Sequence, residues 1–215
     1  MTDDRRWIIT VVSVVGCLFA MERGMSKGRL EAFSDGVMAI IITIMVLELA
    51  VPEGDDLAAL RGVLPTLVGY TLSFIFLGIY WNNHHHLLQT ARQVNGRVLW
   101  ANLHLLFWLS LIPFATAWMG ETSFAALPTA VYGLFLFFSA IAYTLLTRAL
   151  IAVHGADSVL AKAVNRDVKG KLSLVLYLIA VPLAFVSSWL AGGLYVLVAV
   201  MWLIPDPRIE RTLAE

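Results

Sequence analysis

Arg29-Leu30-Glu31-Ala32-Phe33-Ser34-Asp35-Gly36 opens a segment that stays apolar through Val37-Met38-Ala39-Ile40-Ile41-Ile42-Thr43-Ile44-Met45-Val46-Leu47, passes Glu48 and stops at Pro52. Residues 32–51 match one helical membrane crossing, which takes about 20 mostly apolar residues. Periodicity gives this helix a face. Gly36, Ile40, Thr43 and Leu47 recur at i, i+4, i+7 and i+11 and share one stripe. Taken alone, the stripe reads as an ordinary core face, with the Thr43 hydroxyl bonded to the carbonyl four residues back.

Five further runs have spanning character. Residues 63–88 carry Pro65, placed in the first turn where a missing N–H is harmless. Residues 98–119, 125–153, 172–189 and 191–204 follow, with Gly192-Gly193 read as the turn between the last two and Pro205 as the stop. The expected fold class is therefore all-α, a polytopic membrane protein of six transmembrane helices. Composition agrees. Of 215 residues, 60% are hydrophobic and 14% charged, with a mean hydropathy of +0.81. Soluble domains carry about 25% charge, and a fold of this size buries only about 70% of its unfolded surface. An ordinary soluble domain, a disordered chain and a nucleic-acid binder are excluded. A single cysteine, Cys17, precludes an intrachain disulfide.

The charges orient the spans. With the N-terminus cytoplasmic, the inner segments hold every basic residue but Arg61, 14 of 15 in all. The outer loops instead carry Glu53, Asp55, Asp56 and Glu121. This asymmetry is the positive-inside pattern for six spans with both termini in the cytoplasm. Glu48 then falls one turn from the outer end of the first helix, near Glu53, Asp55 and Asp56. Acids at an outer mouth concentrate cations.

Residues 7–20 are apolar but short of a crossing, and they follow Arg5-Arg6. They resemble a signal-peptide core, with Val14-Val15-Gly16-Cys17 as a loose lipoprotein-type cleavage site. Either reading would export the N-terminus and invert the charge asymmetry. The expectation is instead that translation begins at Met21 or Met25. Residues 1–28 are then a dispensable extension or a mis-assigned start, 29–205 the membrane domain and 206–215 a cytoplasmic tail. The polar stretch 156–171 reads as a solvated cytoplasmic connection, not a catalytic cluster.

Polar residues cluster at the cytoplasmic ends of the first three spans. Ser34 or Asp35 can cap a helix and Arg29 can anchor it at the headgroups. But Glu31-Ala32-Phe33 already reads as helix, which puts Asp35 inside the membrane boundary, where an ionised group needs a partner. Arg29 and Asp35 are about 120° out of phase, so a partner from another helix is expected. The second span offers Trp81-Asn82-Asn83-His84-His85-His86 and the third Asn102 and His104. Successive histidines cannot share a helix face, so this run makes a poor single-helix metal site. Asp35, Ser34, one or two of the histidines and Asn102 are expected to form one buried polar network, which orders helices without doing chemistry.

At Arg29-x-x-x-Phe33-Ser34-Asp35, followed by the stripe of Ile40, Thr43 and Leu47, the chain resembles the transmembrane protein 175 family of potassium-permeable channels. Trp81-x-x-His84-His85, Asn102 and Pro113-Phe114-Ala115-Thr116 support the resemblance, which extends over about residues 25–204. Eukaryotic members carry the signature twice. A single copy resembles the bacterial form, a homotetramer in the inner (plasma) membrane. The resemblance implies a pore lined by the first span of each subunit, with Ile40 as hydrophobic constriction, Thr43 implicated in selectivity and Leu47 one turn on. It implies an inner polar network of Arg29, Ser34, Asp35, His84 or His85, and Asn102. Gly36 stands where other members often have alanine. No Thr-Val-Gly-Tyr-Gly carbonyl filter occurs, so modest preference for potassium over sodium is expected. No cofactor or fixed metal is implied. The partners are further copies of the chain, membrane lipid and permeant potassium, and nucleic acid is not one of them.

Two other functions compete. A membrane-embedded metal enzyme would use His84–His86 with Asp35, and needs convergent ligands. A secondary transporter would show internal repeats and helices broken near the midplane, and neither is clear in the sequence.

Overall fold

The computed structural model describes residues 26–155, 158, 160–161 and 167–203. Most of the expected extension at 1–28 and all of the tail at 206–215 lie outside the described residues. So do Cys17 and the basic residues Arg5, Arg6, Arg23, Lys162, Arg166, Arg208 and Arg211. Among the described residues there is no strand. The helices are α1 (Lys27–Leu47), α2 (Leu57–Gln89), α3 (Gly96–Ser110), α4 (Ile112–Glu121), α5 (Ala126–His154), α6 (Val168–Leu183) and α7 (Ser188–Leu203). α1, α2, α5 and the combined stretch Gly96–Glu121 are each long and apolar enough to cross a membrane. At about 1.5 Å per residue, α6 and α7 are shorter rods of about 24 Å.

Side-chain caps set several starts. Asp56 accepts from the Ala59 N–H at 2.8 Å, Asn95 from the Val98 N–H at 3.1 Å and Asp167 from the Gly170 N–H at 2.7 Å. Each satisfies a donor left over in a first helical turn. The Asp56 cap starts α2 before the expected span at 63–88. Pro65 consequently lies inside the helix rather than in its first turn, where it withdraws one backbone hydrogen bond.

Two further boundaries differ from expectation. The third span is two helices, α3 and α4, meeting at Leu111. Pro113 has no N–H for the Leu109 carbonyl, and Leu111 N–H bonds back to Trp108 at 3.3 Å in a tightened turn. The turn between α6 and α7 is not at Gly192-Gly193 but at residues 184–187. Ser187 Oγ accepts from the Leu190 N–H at 3.4 Å, an N-cap that fixes the start of α7. Both glycines then sit inside α7, where a Cβ on either would meet nothing.

α5 is the central helix, against which α3, α4, α6 and α7 pack. α1 lies at one edge against α2, α3 and α4. Two glycines permit close approach. A Cβ on Gly120 would sit 2.6 Å from Thr66 Cα where α4 meets α2. A Cβ on Gly133 would overlap the ring of Tyr195, whose hydroxyl donates to the Thr129 carbonyl at 3.1 Å.

Candidate functional site

α1 carries two opposed faces. Leu30, Ser34, Met38, Ile41 and Met45 are buried against the rest of the chain. Gly36, Ile40, Thr43 and Leu47 point the other way, about 180° around the helix. Ile40 is 60% exposed and Leu47 76% exposed. Arg29 falls on the same open stripe, seven residues and so about two turns before Gly36. It is exposed, and its side chain makes no hydrogen bond or ion pair with any described residue. The Thr43 hydroxyl donates to the Ala39 carbonyl at 2.8 Å. Its proton is thus engaged within the helix, while its lone pairs stay available on the open face. Glu48 caps the end of α1. With Ile40, Ile44, Pro113 and Phe114 it lines an open groove between α1 and the junction of α3 with α4.

The buried face of α1 is tied by a polar chain with a fixed direction. Ser34 Oγ donates to the Leu30 carbonyl at 2.8 Å. Its only proton is thereby used, so it accepts from Asn102 Nδ2 at 2.9 Å. That orients the amide and leaves Asn102 Oδ1 as the acceptor for His84 Nε2 at 2.7 Å. His84 must therefore carry its proton on Nε2. Ser34, Asn102 and His84 are all buried, at 0%, 0% and 1% exposure. One hydroxyl, one amide and one imidazole thus join α1, α3 and α2.

Asp35 does not enter this chain. The expectation that it is buried beside Arg29, the histidines and Asn102 is corrected within the chain. It is exposed, and Oδ1 accepts from the Trp81 indole N–H at 3.0 Å. Helical phase is the reason. Asp35 lies about 100° from Ser34, so turning Ser34 inward sends Asp35 to the edge. His85 likewise parts from His84. Its ring stacks on Trp81 with centroids 5.9 Å apart, and its Nε2 accepts from Gln89 Nε2 at 2.8 Å. His86 is half-buried, and its Nδ1 has no partner among the described residues. His104 is exposed and accepts from the Trp108 indole at 2.9 Å. Among the described residues, no three metal-ligating side chains converge.

Two features escaped sequence reasoning. His154, at the end of α5, accepts the Arg92 and Gln93 N–H groups at Nε2, at 2.8 and 3.3 Å, and pairs Nδ1 with the Leu150 carbonyl at 2.8 Å. It clamps the loop after α2. Ser73, Thr116 and Tyr132 join α2, α4 and α5 through buried hydroxyls, 2.7 Å apart for Ser73 with Thr116 and 3.0 Å for Ser73 with Tyr132. Small hydroxyls within apolar spans were the available signal.

Comparison with known proteins places this geometry. The family model of the endosomal/lysosomal potassium channel TMEM175 matches residues 29–113, which contain α2, α3, all but the first two residues of α1 and every member of the polar chain. A potassium channel of Chryseobacterium sp. (strain P1-3) is 56% identical over 191 residues, covering 89% of this chain and 100% of that one. A potassium channel of Streptomyces collinus is 31% identical over 200 residues, covering 86% of this chain and 96% of the relative. The crystal structure of a lysosomal potassium-selective channel TMEM175 homologue from Chamaesiphon minutus superposes with a TM-score of 0.71 at 29% identity, covering 83% of this chain and 96% of that one. These relatives are channels, not enzymes. The chain is a membrane protein of the TMEM175 family.

Proposed function

We propose that this chain is a potassium-permeable cation channel that assembles as a homotetramer, with α1 of each subunit lining the pore. The observation that carries this reading is the open stripe of Ile40, Thr43 and Leu47, directly opposite the face that α1 buries in its own subunit. A helix at the edge of a subunit, polar-tipped and open on one side, cannot enclose a path alone. Copies related by a rotation axis can. Four Ile40 side chains form an apolar neck that gates by dewetting, and four Thr43 hydroxyls supply lone pairs in place of part of an ion's hydration shell. Leu47 continues the wall, and Glu48 places acids at the outer mouth. Hydroxyls and an apolar neck discriminate less sharply than stacked carbonyl cages, so preference for potassium over sodium is modest.

The polar chain Ser34–Asn102–His84 has a supporting role in this reading: it sets the rotation of α1 and hence the direction of the stripe. Arg29 sits at the inner mouth. Asp35, exposed within one chain, and His85, half-buried, belong to the inner end of the assembly. The protein resides in the bacterial inner membrane with both termini cytoplasmic, as the basic residues favour. Potassium is the permeant ion and no cofactor takes part. The test is flux. Protein reconstituted in liposomes under an outward potassium gradient should pass potassium without a second coupled ion. A flux that saturates and stops without a sodium or proton gradient would indicate a transporter instead.

A further inference from the structure

Phe76, Tyr80, Tyr143, Tyr177 and Trp202 wall a narrow cavity between α2, α5, α6 and α7, together with Asn83 and Asp167. It lies away from the open stripe of α1. Neither the Tyr80 nor the Tyr177 hydroxyl bonds to any described residue, although Tyr177 is 2% exposed. Both hydroxyl oxygens are accessible rather than sealed in the packing, so each is free to bond an occupant of the cavity.

The remaining polar groups of the wall have mostly spent their protons. Asn83 Nδ2 donates to the Ile79 carbonyl at 2.8 Å, which turns Oδ1 into a free acceptor. The Tyr143 hydroxyl donates to the Asn83 carbonyl at 3.1 Å, and Thr144 Oγ1 to the Ala140 carbonyl at 2.9 Å. Ser173 Oγ donates to the Lys169 carbonyl and accepts the Trp202 indole N–H, each within 2.9 Å. Asp167 uses Oδ1 to cap α6, leaving Oδ2. The cavity thus presents lone pairs, a carboxylate, aromatic faces and the free O–H groups of Tyr80 and Tyr177. Its space admits only a few non-hydrogen atoms.

From this complement we infer that the cavity binds a small primary ammonium group, either a free alkylamine or the ammonium of a lipid headgroup. Three N–H donors match the oxygen acceptors, the charge meets Asp167, and the aromatic faces attract the cation. The Asp167 carboxylate also offsets the unfavourable positive end of α6. Ile79, Phe76 and Ala140 receive the carbon stem. Tyr80 and Asn83 neighbour Trp81 and His84 on α2, the partners of Asp35 and Asn102. Occupancy therefore stiffens the part of α2 that holds α1.

Full-length protein in nanodiscs of phosphatidylglycerol is melted with increasing ethylammonium chloride at constant ionic strength, with sodium chloride as control. Ethylammonium should raise the melting temperature. Tyr177→Phe and Asp167→Asn should each weaken that effect at least tenfold. Asparagine remains a good helix cap, so Asp167→Asn keeps α6. Nanodiscs containing phosphatidylethanolamine separate the two sources. Loss of the ethylammonium effect there assigns the site to the lipid headgroup, and its persistence assigns it to a free amine. No effect on the unmodified protein, or the same effect in both variants, overturns the assignment.

Discussion

Ile40→Asn should raise cation flux into liposomes by roughly tenfold or more, with sodium rising proportionally more than potassium. The expectation follows from the neck. Ile40 stands on the open stripe of α1 and is 60% exposed within the chain. In the proposed tetramer, four such side chains would ring the pore and repel water from it. An amide in the same place hydrogen-bonds to water, and a wetted neck lowers the barrier for any hydrated cation. A reduction of about 1.4 kcal/mol suffices for a tenfold change. The gain should be larger for sodium because an amide ring does not distinguish the two ions by size. Isotope flux and reversal potentials check this together. Ile41→Asn, one residue on but buried, should instead reduce the yield of folded protein.

The second large effect concerns folding. Asn102→Ala removes the middle of the Ser34–Asn102–His84 chain and leaves the His84 Nε2–H without an acceptor in a fully buried place. An unsatisfied buried donor costs about 1–3 kcal/mol. In membranes the loss is smaller where the separated helices find other partners. A drop of about 2 kcal/mol in stability is expected, read as a lower detergent melting temperature and a lower yield of assembled protein. Asp35→Ala should cost less within the subunit, about 1 kcal/mol or under, because it strips a partner from an indole that still reaches solvent. Reversal potentials in the surviving Asn102→Ala channels should stay near those of the unmodified protein. A stable Asn102→Ala protein with altered selectivity would remove the structural role from the chain.

Much of this architecture is legible in the sequence because lipid constrains it strongly. Apolar runs of membrane length leave little choice but helix. The stripe of Gly36, Ile40, Thr43 and Leu47 is a matter of phase, which the spacing fixes. What stayed hidden depends on rotation and local competition. Ser34 and Asp35 are adjacent polar residues, and spacing cannot say which one turns inward; the fit of Ser34 to Asn102 decides it. Gly192-Gly193 is the stronger breaker signal for the turn between α6 and α7, but the Ser187 cap three residues before Leu190 determines where α7 begins. The break at Leu111 was foreshadowed by Pro113, two positions on. The tyrosine-lined cavity had no signal at all. Its walls come from four helices, and aromatic residues in apolar spans look alike whether they pack or line a space.

Chemical accessibility along α1 reports which face of the helix meets the ion path. In a background with Cys17→Ser, single cysteines at positions 40, 43 and 47 on one face and 41 and 45 on the other are exposed to a small, positively charged thiol reagent while potassium flux is recorded. Ile40→Cys, Thr43→Cys and Leu47→Cys should be modified with a fall in flux, whereas Ile41→Cys and Met45→Cys should be unreactive. Modification of the 41 and 45 positions with block, and silence at 40, 43 and 47, would show that the open stripe of α1 does not line the ion path.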